Sequence, residues 1–182
     1  MYAKRVEMKF PEEDKPIGFD LMTADWVAPF GAGKNADLFF SATRKVVNDK
    51  NYEGDLKITF PKAGDGVIDV PPIPDSGSPL IMPRTAPDEG YQSEKSWHYS
   101  PSEGPPPVQG YFFRIRTVLE QNGVIKSALY GKIRGEISFF VGTKSPQPGM
   151  AFTYYLNPTI NSRNVEFDPT RNLFPGQNAP AP

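Results

Sequence analysis

Between Tyr111 and Phe140 the chain alternates with a period of two. Phe113, Ile115, Leu119, Ile125, Leu129, Ile133, Ile137 and Phe139 fall on one parity. Phe112, Arg114, Arg116, Lys126, Tyr130, Lys132 and Arg134 fall on the other. Successive side chains of a strand point to opposite faces of a sheet, so this pattern predicts a hairpin with an apolar inner face and a basic, solvated outer one. The turn sets its register. A two-residue Asn122-Gly123 loop would set Leu119 against Lys126 and bring lysines opposite core positions. A three-residue loop, Gln121-Asn122-Gly123, pairs Leu119 with Ile125, Thr117 with Ser127, Ile115 with Leu129 and Arg114 with Tyr130. Only the second keeps burial consistent on both strands, because a slip of one residue turns a strand inside out. It asks for Gly123 in the left-handed region, which glycine enters without steric cost.

Similar alternation recurs along the chain. Tyr2, Val6, Met8 and Phe10 share a parity, and Ile17–Met22 reads as a short strand. Trp26–Gly33 reads as a packed loop. Asp37–Val47 fits either a helix, through Leu38, Ala42 and Val46, or a strand, through its aromatic and β-branched residues. The Asn48–Asn51 turn and the alternation of Leu56, Ile58 and Phe60 favour strand–turn–strand. Val67–Val70, Ala151–Leu156 and Asn164–Phe167 complete the set. Gly131 and Gly135 interrupt a run too long for an ordinary strand, which predicts a bend, a bulge or a close backbone approach, or a new strand from Gly135. Pro71–Gly110 holds ten prolines with little periodicity and reads as a long excursion pinned by Leu80-Ile81-Met82, Tyr91 and Trp97-His98-Tyr99. The expected fold is all-β: an antiparallel β-sandwich, jelly-roll or immunoglobulin-like, as a single domain over residues 1–174 with a tail over 175–182.

Composition narrows the chemistry. The 182 residues carry 20 Lys+Arg against 21 Asp+Glu, so no overall field draws the chain to nucleic acid. With no cysteine there is no disulfide, thiolate nucleophile or cysteine-held metal. No apolar run is long enough for a membrane-spanning helix, and the first ten residues do not resemble a signal peptide. The 21 prolines and 16 glycines disfavour long helices.

Three constellations bear on function. The face carrying Arg114, Arg116, Tyr130 and Lys132 offers forked donors and aromatic rings to an anionic ligand, or is simply a solvated sheet surface. Trp97 and Tyr99 offer rings for stacking on a sugar, or anchor a long loop in the core. His98 is the only histidine, so a histidine-rich metal centre is excluded, and no G-x-S-x-G elbow presents a serine to it. Gly31–Ala36 matches G-x-G-x-x-A without the strand–turn–helix setting that would give it meaning, and reads as a glycine turn. Carboxylates are scattered, with Asp20 and Asp25 near Trp26, Glu166 and Asp168 late in the chain, and Asp65 and Asp69 without a calcium-loop pattern.

These readings converge on a non-catalytic binding module of a bacterial envelope or secreted protein, with no cofactor and no metal. The expected ligand is a protein partner or a polysaccharide, contacted by Arg114, Arg116, Tyr130, Lys132, Trp97 and Tyr99. The alternative is a carbohydrate-active hydrolase using paired carboxylates. Oligomeric state is left open.

Overall fold

A computed structural model describes residues 1–71, 82–105, 107–174 and 176. Among the described residues ten strands appear in chain order: β1 (Tyr2–Lys9), β2 (Ile17–Asp20), β3 (Asp25–Trp26), β4 (Leu38–Asn48), β5 (Asn51–Thr59), β6 (Gly66–Val70), β7 (Glu94–Tyr99), β8 (Gly110–Leu119), β9 (Ile125–Phe140) and β10 (Gly149–Asn157). They form two five-stranded antiparallel sheets, ordered β1-β10-β9-β8-β6 and β3-β2-β4-β5-β7. Leu38–Asn48 is therefore strand, as the β-branched and aromatic content of 37–47 favoured over the helical spacing. The expected strand at Asn164–Phe167 does not form, and a single bridge from Asn164 to Thr85 takes its place.

Inward side chains of both sheets meet in one buried cluster. Phe19 sits at its centre, with ring centroids 5.6 Å from Trp26, 6.0 Å from Phe40 and 5.9 Å from Phe152. Such tilted and edge-on contacts suit the aromatic quadrupole. On one flank the sheets are stitched together, because Gln92, just before β7, bridges to Val67 of β6. The other flank leaves the edges of β1 and β3 side by side, joined where Trp26 Nε1 donates to the Lys9 carbonyl at 3.3 Å.

The β8–β9 hairpin closes on the three-residue loop: Glu120 N–H donates to Val124 O at 2.8 Å, and Gly123 has φ +82°. Leu119 pairs with Ile125, Ile115 with Leu129 and Arg114 with Tyr130. Thr117 does not meet Ser127; a bulge brings Val118 there instead. At the bulge Arg116 takes φ +54°, and the Asp65 carboxylate accepts from both Arg116 N–H (3.1 Å) and Thr117 N–H (2.8 Å). The glycines of β9 do different jobs. A Cβ on Gly131 would lie 2.2 Å from the Phe113 ring, so that glycine admits a close approach. Gly135, at φ +67°, lies where the pairing with β10 shifts, and β9 continues past it in the same sheet.

The expectation of a wet outer face on β8 and β9 is corrected. Phe112, Arg114, Ala128, Tyr130 and Lys132 are all buried. Two segments strap across them: Ala86 N–H donates to Arg163 O (2.9 Å) and Val165 N–H to Arg84 O (2.8 Å). Met82, Ala86 and Val165 then pack on Phe112, Ala128 and Tyr130 as a second small core. The apolar and aromatic members of that parity require such a cover, since burying them removes apolar surface from water.

Candidate functional site

Arg114 serves the strap. Its Nε donates to Gly64 O, its Nη1 to Asp88 O at 2.8 Å, and its guanidinium lies 4.4 Å from the Tyr91 ring centroid. Tyr130 packs under the same segment, 6.4 Å from Tyr91. Lys132 pairs with Phe112 and Tyr155 across the sheet, with Nζ 5.4 Å from the Tyr155 ring. Trp97 is 5 % exposed; its Nε1 donates to the Tyr111 hydroxyl at 3.1 Å, inside the core.

Burial lowers the Lys132 ammonium from its ordinary 10.5 to about 8, with Glu166 opposing and Arg134 assisting. The unfolded lysine keeps its proton up to its ordinary value, so between those limits the unfolded chain binds more protons and stability rises with pH. Lys132→Met is expected to raise stability at neutral pH and to remove that rise. Urea titrations from pH 7 to 10 check this; parallel profiles for the two proteins would refute it.

Arg116 leaves the other basic residues and reaches the opposite sheet's loop. Its Nε lies 2.7 Å from Asp37 Oδ1 and its Nη2 3.1 Å from Oδ2, a bidentate fork. Nη2 also reaches Asp20 Oδ1 at 3.3 Å. Asp37 Oδ2 accepts from Leu21 N–H at 2.9 Å. Burial pushes the Asp37 carboxyl up, against the pull of Arg116 and Leu21, while Asp37 raises Arg116 in turn. The guanidinium stays charged throughout, and Asp37 is its counter-ion.

The glycine turn next door is filled from within. Asp20 Oδ2 accepts from Lys34 N–H (2.9 Å) and Asn35 N–H (3.1 Å), and Asp25 Oδ2 from Ala32 N–H (2.8 Å). Those amides would otherwise be an anion seat; here two carboxylates occupy it. The Asp20 carboxyl is accordingly lowered: burial raises it, but the amides of Lys34, Asn35 and Met22 outweigh that. A Cβ on Gly31 would lie 2.4 Å from Trp26 O, so glycine is needed for the close approach.

A recess of about 550 Å³ opens where β5 begins and β7 and β9 end. Tyr52, Tyr99 and Phe139 line it, with Ser100, Ser102, Glu103, Thr143 and Asp49 among the other lining residues. Tyr99 is held by its hydroxyl, which donates to Ile137 O at 2.9 Å, and by Phe139 with centroids 5.3 Å apart. Gly54 permits this: a Cβ there would meet Phe139 and Val141 at 2.9 Å. Asp49 pairs with Lys144 at 2.8 Å. The 141–146 wall is gripped by Arg44, whose Nη1 donates to the carbonyls of Val141, Gly142 and Ser145 at 3.0 Å each, and Nη2 to Pro146 O at 2.6 Å. Glu13 holds Arg44 Nε from behind.

Of the six residues expected to contact a ligand, Tyr99 lines this cleft and Arg116 lines a smaller recess beside Asp37 and Asp65. Arg114, Tyr130, Lys132 and Trp97 are buried in structural contacts. Sequence reasoning passed over Tyr52, Phe139 and the 100–103 turn. Tyr52 shares the inward parity of Leu56 and Ile58 but lies before the alternation that marks that strand. Its separation from them by Gly54 is the signal that the core thins there. His98 sits apart on the β7 surface, Nδ1 2.8 Å from Asp55 Oδ1, which raises its pKa. Among the described residues no group of three or more His, Cys, Asp or Glu is placed to hold a metal, and no helix is long and apolar enough to cross a membrane. No family model, no curated protein and no solved structure matches the chain.

Proposed function

We propose that the chain is a non-catalytic binding module of a bacterial envelope or secreted protein, and that it takes a polysaccharide in the cleft at the end of its two sheets. The observation that carries this reading is the cleft's chemistry: Tyr52, Tyr99 and Phe139 are rimmed by the hydroxyls of Ser100, Ser102 and Thr143 and by Glu103. A sugar ring has apolar C–H faces and a hydroxyl edge, which suits an aromatic wall with a few polar groups around it. The framework is read as a β-sandwich, jelly-roll or immunoglobulin-like, and the single buried cluster shared by both sheets supports that reading. The Pro71–Gly110 stretch is read as its long excursion, from which Glu94–Tyr99 returns to the sheet as β7 beside β5; residues 72–81 and 106 of it lie outside the described residues.

A hydrolase would need a cleft carboxyl with a raised pKa. Burial raises Asp37 and Asp65, but the first is committed to Arg116 and the second to the amides of the β8 bulge. That favours binding over turnover.

A glycan array run beside turnover assays on the same polysaccharides tests the proposal. A hit is expected whose affinity falls about tenfold, about 1.4 kcal/mol, in Tyr52→Ala and in Tyr99→Ala. Tyr99→Phe, which keeps the ring, should bind like the parent. Equal affinity in both alanine variants would discard the cleft, and release of reducing ends would favour the hydrolase.

A further inference from the structure

The open flank of the two sheets leaves main-chain groups ready for another strand. In an antiparallel pair, alternate residues turn their N–H and C=O to opposite sides. β1 turns its odd residues outward, away from β10. Met1 O accepts from Leu173 N–H (2.8 Å), Ala3 exchanges bonds with the Asn172 side-chain amide (3.1 and 2.9 Å), and Lys9 O accepts from Trp26 Nε1 (3.3 Å). Between those covered ends stand Arg5 and Glu7. Their outward main-chain groups have no partner among the described residues, and their exposed side chains form no ion pair there. A cleft of 340 Å³ runs beside them, between residues 4–8 and 23–25. An uncovered edge of this kind is a template for strand addition.

We propose that β1 pairs with β1 of a second copy of this chain, antiparallel, about a two-fold axis at Val6. The register follows from the hydrogen-bonding parity. Only odd residues present free groups, so odd must face odd. An axis at residue 5 sets Arg5 against Arg5, and an axis at residue 7 sets Glu7 against Glu7; like charges directly opposite destabilise a sheet. An axis at Val6 sets Arg5 against Glu7 twice. Each of those pairs exchanges two N–H···O=C bonds, four in all. On the other face Val6 meets Val6, and Lys4 meets Met8. Asn172 and Trp26 already hold the groups at Ala3 and Lys9, which confines the pairing to residues 4–8. The sheet twist of roughly 20–25° per strand turns the outer ends apart. The contact is isologous, so every side-chain change acts twice. The two β10-containing sheets become one continuous sheet.

Sedimentation equilibrium of the full chain from micromolar to millimolar concentration tests this, with circular dichroism confirming that each variant is folded. A reversible monomer–dimer equilibrium is expected. Arg5→Glu alone or Glu7→Arg alone should weaken it at least tenfold, and the double exchange should restore it to within a few-fold of the parent. A chain monomeric at millimolar concentration overturns the proposal. So does a dimer indifferent to the single reversals, or one that the double exchange fails to rescue. Protection of the Arg5 and Glu7 amides by an added extended peptide, in a chain that stays monomeric, would assign the edge to a different partner.

Discussion

Arg116→Met is expected to cost about 3–5 kcal/mol, because it strands the buried Asp37 carboxylate without its counter-ion. For a chain of this size that lowers Tm by roughly 6–20 °C. Methionine keeps the apolar stem and the bulge geometry, so the loss isolates the guanidinium. Two further outcomes separate charge from packing. Asp37→Leu combined with Arg116→Met should be less damaging than Arg116→Met alone, since an apolar pair of similar volume replaces a broken ionic one. The deficit of Arg116→Met should also shrink as pH falls through the carboxylate range. Without Arg116 the pull on Asp37 is lost and its folded pKa rises further. Protonation then stabilises the folded state as pH drops, and that gain is lost again as pH rises through the folded value. Denaturant unfolding at pH 4, 5 and 7 measures all three. A loss under about 1 kcal/mol would show the pair to be a surface-grade contact.

Trp97→Ala should be of comparable size, about 3–5 kcal/mol, as for other large aromatic truncations in a core. The indole fills space between β7 and β8, where its ring lies 5.7 Å from Tyr111 at 84°. Its removal leaves a cavity and deprives the buried Tyr111 hydroxyl of its donor. Trp97→Phe restores most of the volume and should lose distinctly less. Thermal unfolding decides it. If Trp97→Ala were as stable as the parent yet lost a glycan ligand, the ring would be a contact surface and its placement in the core would be wrong.

How much of this was legible follows from what each signal reports. Period-two alternation reports which face is buried first, and it marked most of the strands, the hairpin loop and Gly123, while missing β3 and marking Asn164–Phe167, which forms only a bridge. It says nothing of a second covering layer. Phe112, Ala128 and Tyr130 on the supposedly wet parity were the trace of that layer, but Met82 and Ala86, which cover them, come from a stretch with little periodicity, and Val165 comes from Asn164–Phe167, whose alternation reads as a strand rather than a cover. The bulge at Arg116 was hidden for a different reason. A left-handed arginine is held there by Asp65, 51 positions away in sequence, and no local pattern encodes that bond. The cleft was half visible: Tyr99 was singled out, Phe139 falls on the inward parity, and Tyr52 lies outside the Leu56–Phe60 alternation; parity cannot tell the middle of a core from its end.

Arg44 carries a consequence for recognition. A single planar cation ties four main-chain oxygens of the 141–146 segment to the β4 strand and is itself anchored by Glu13. A guest entering beside that segment meets a lip already frozen in place and need not spend association energy on stiffening it. Softening the lip by Arg44→Gln should therefore speed dissociation while leaving the encounter rate largely intact.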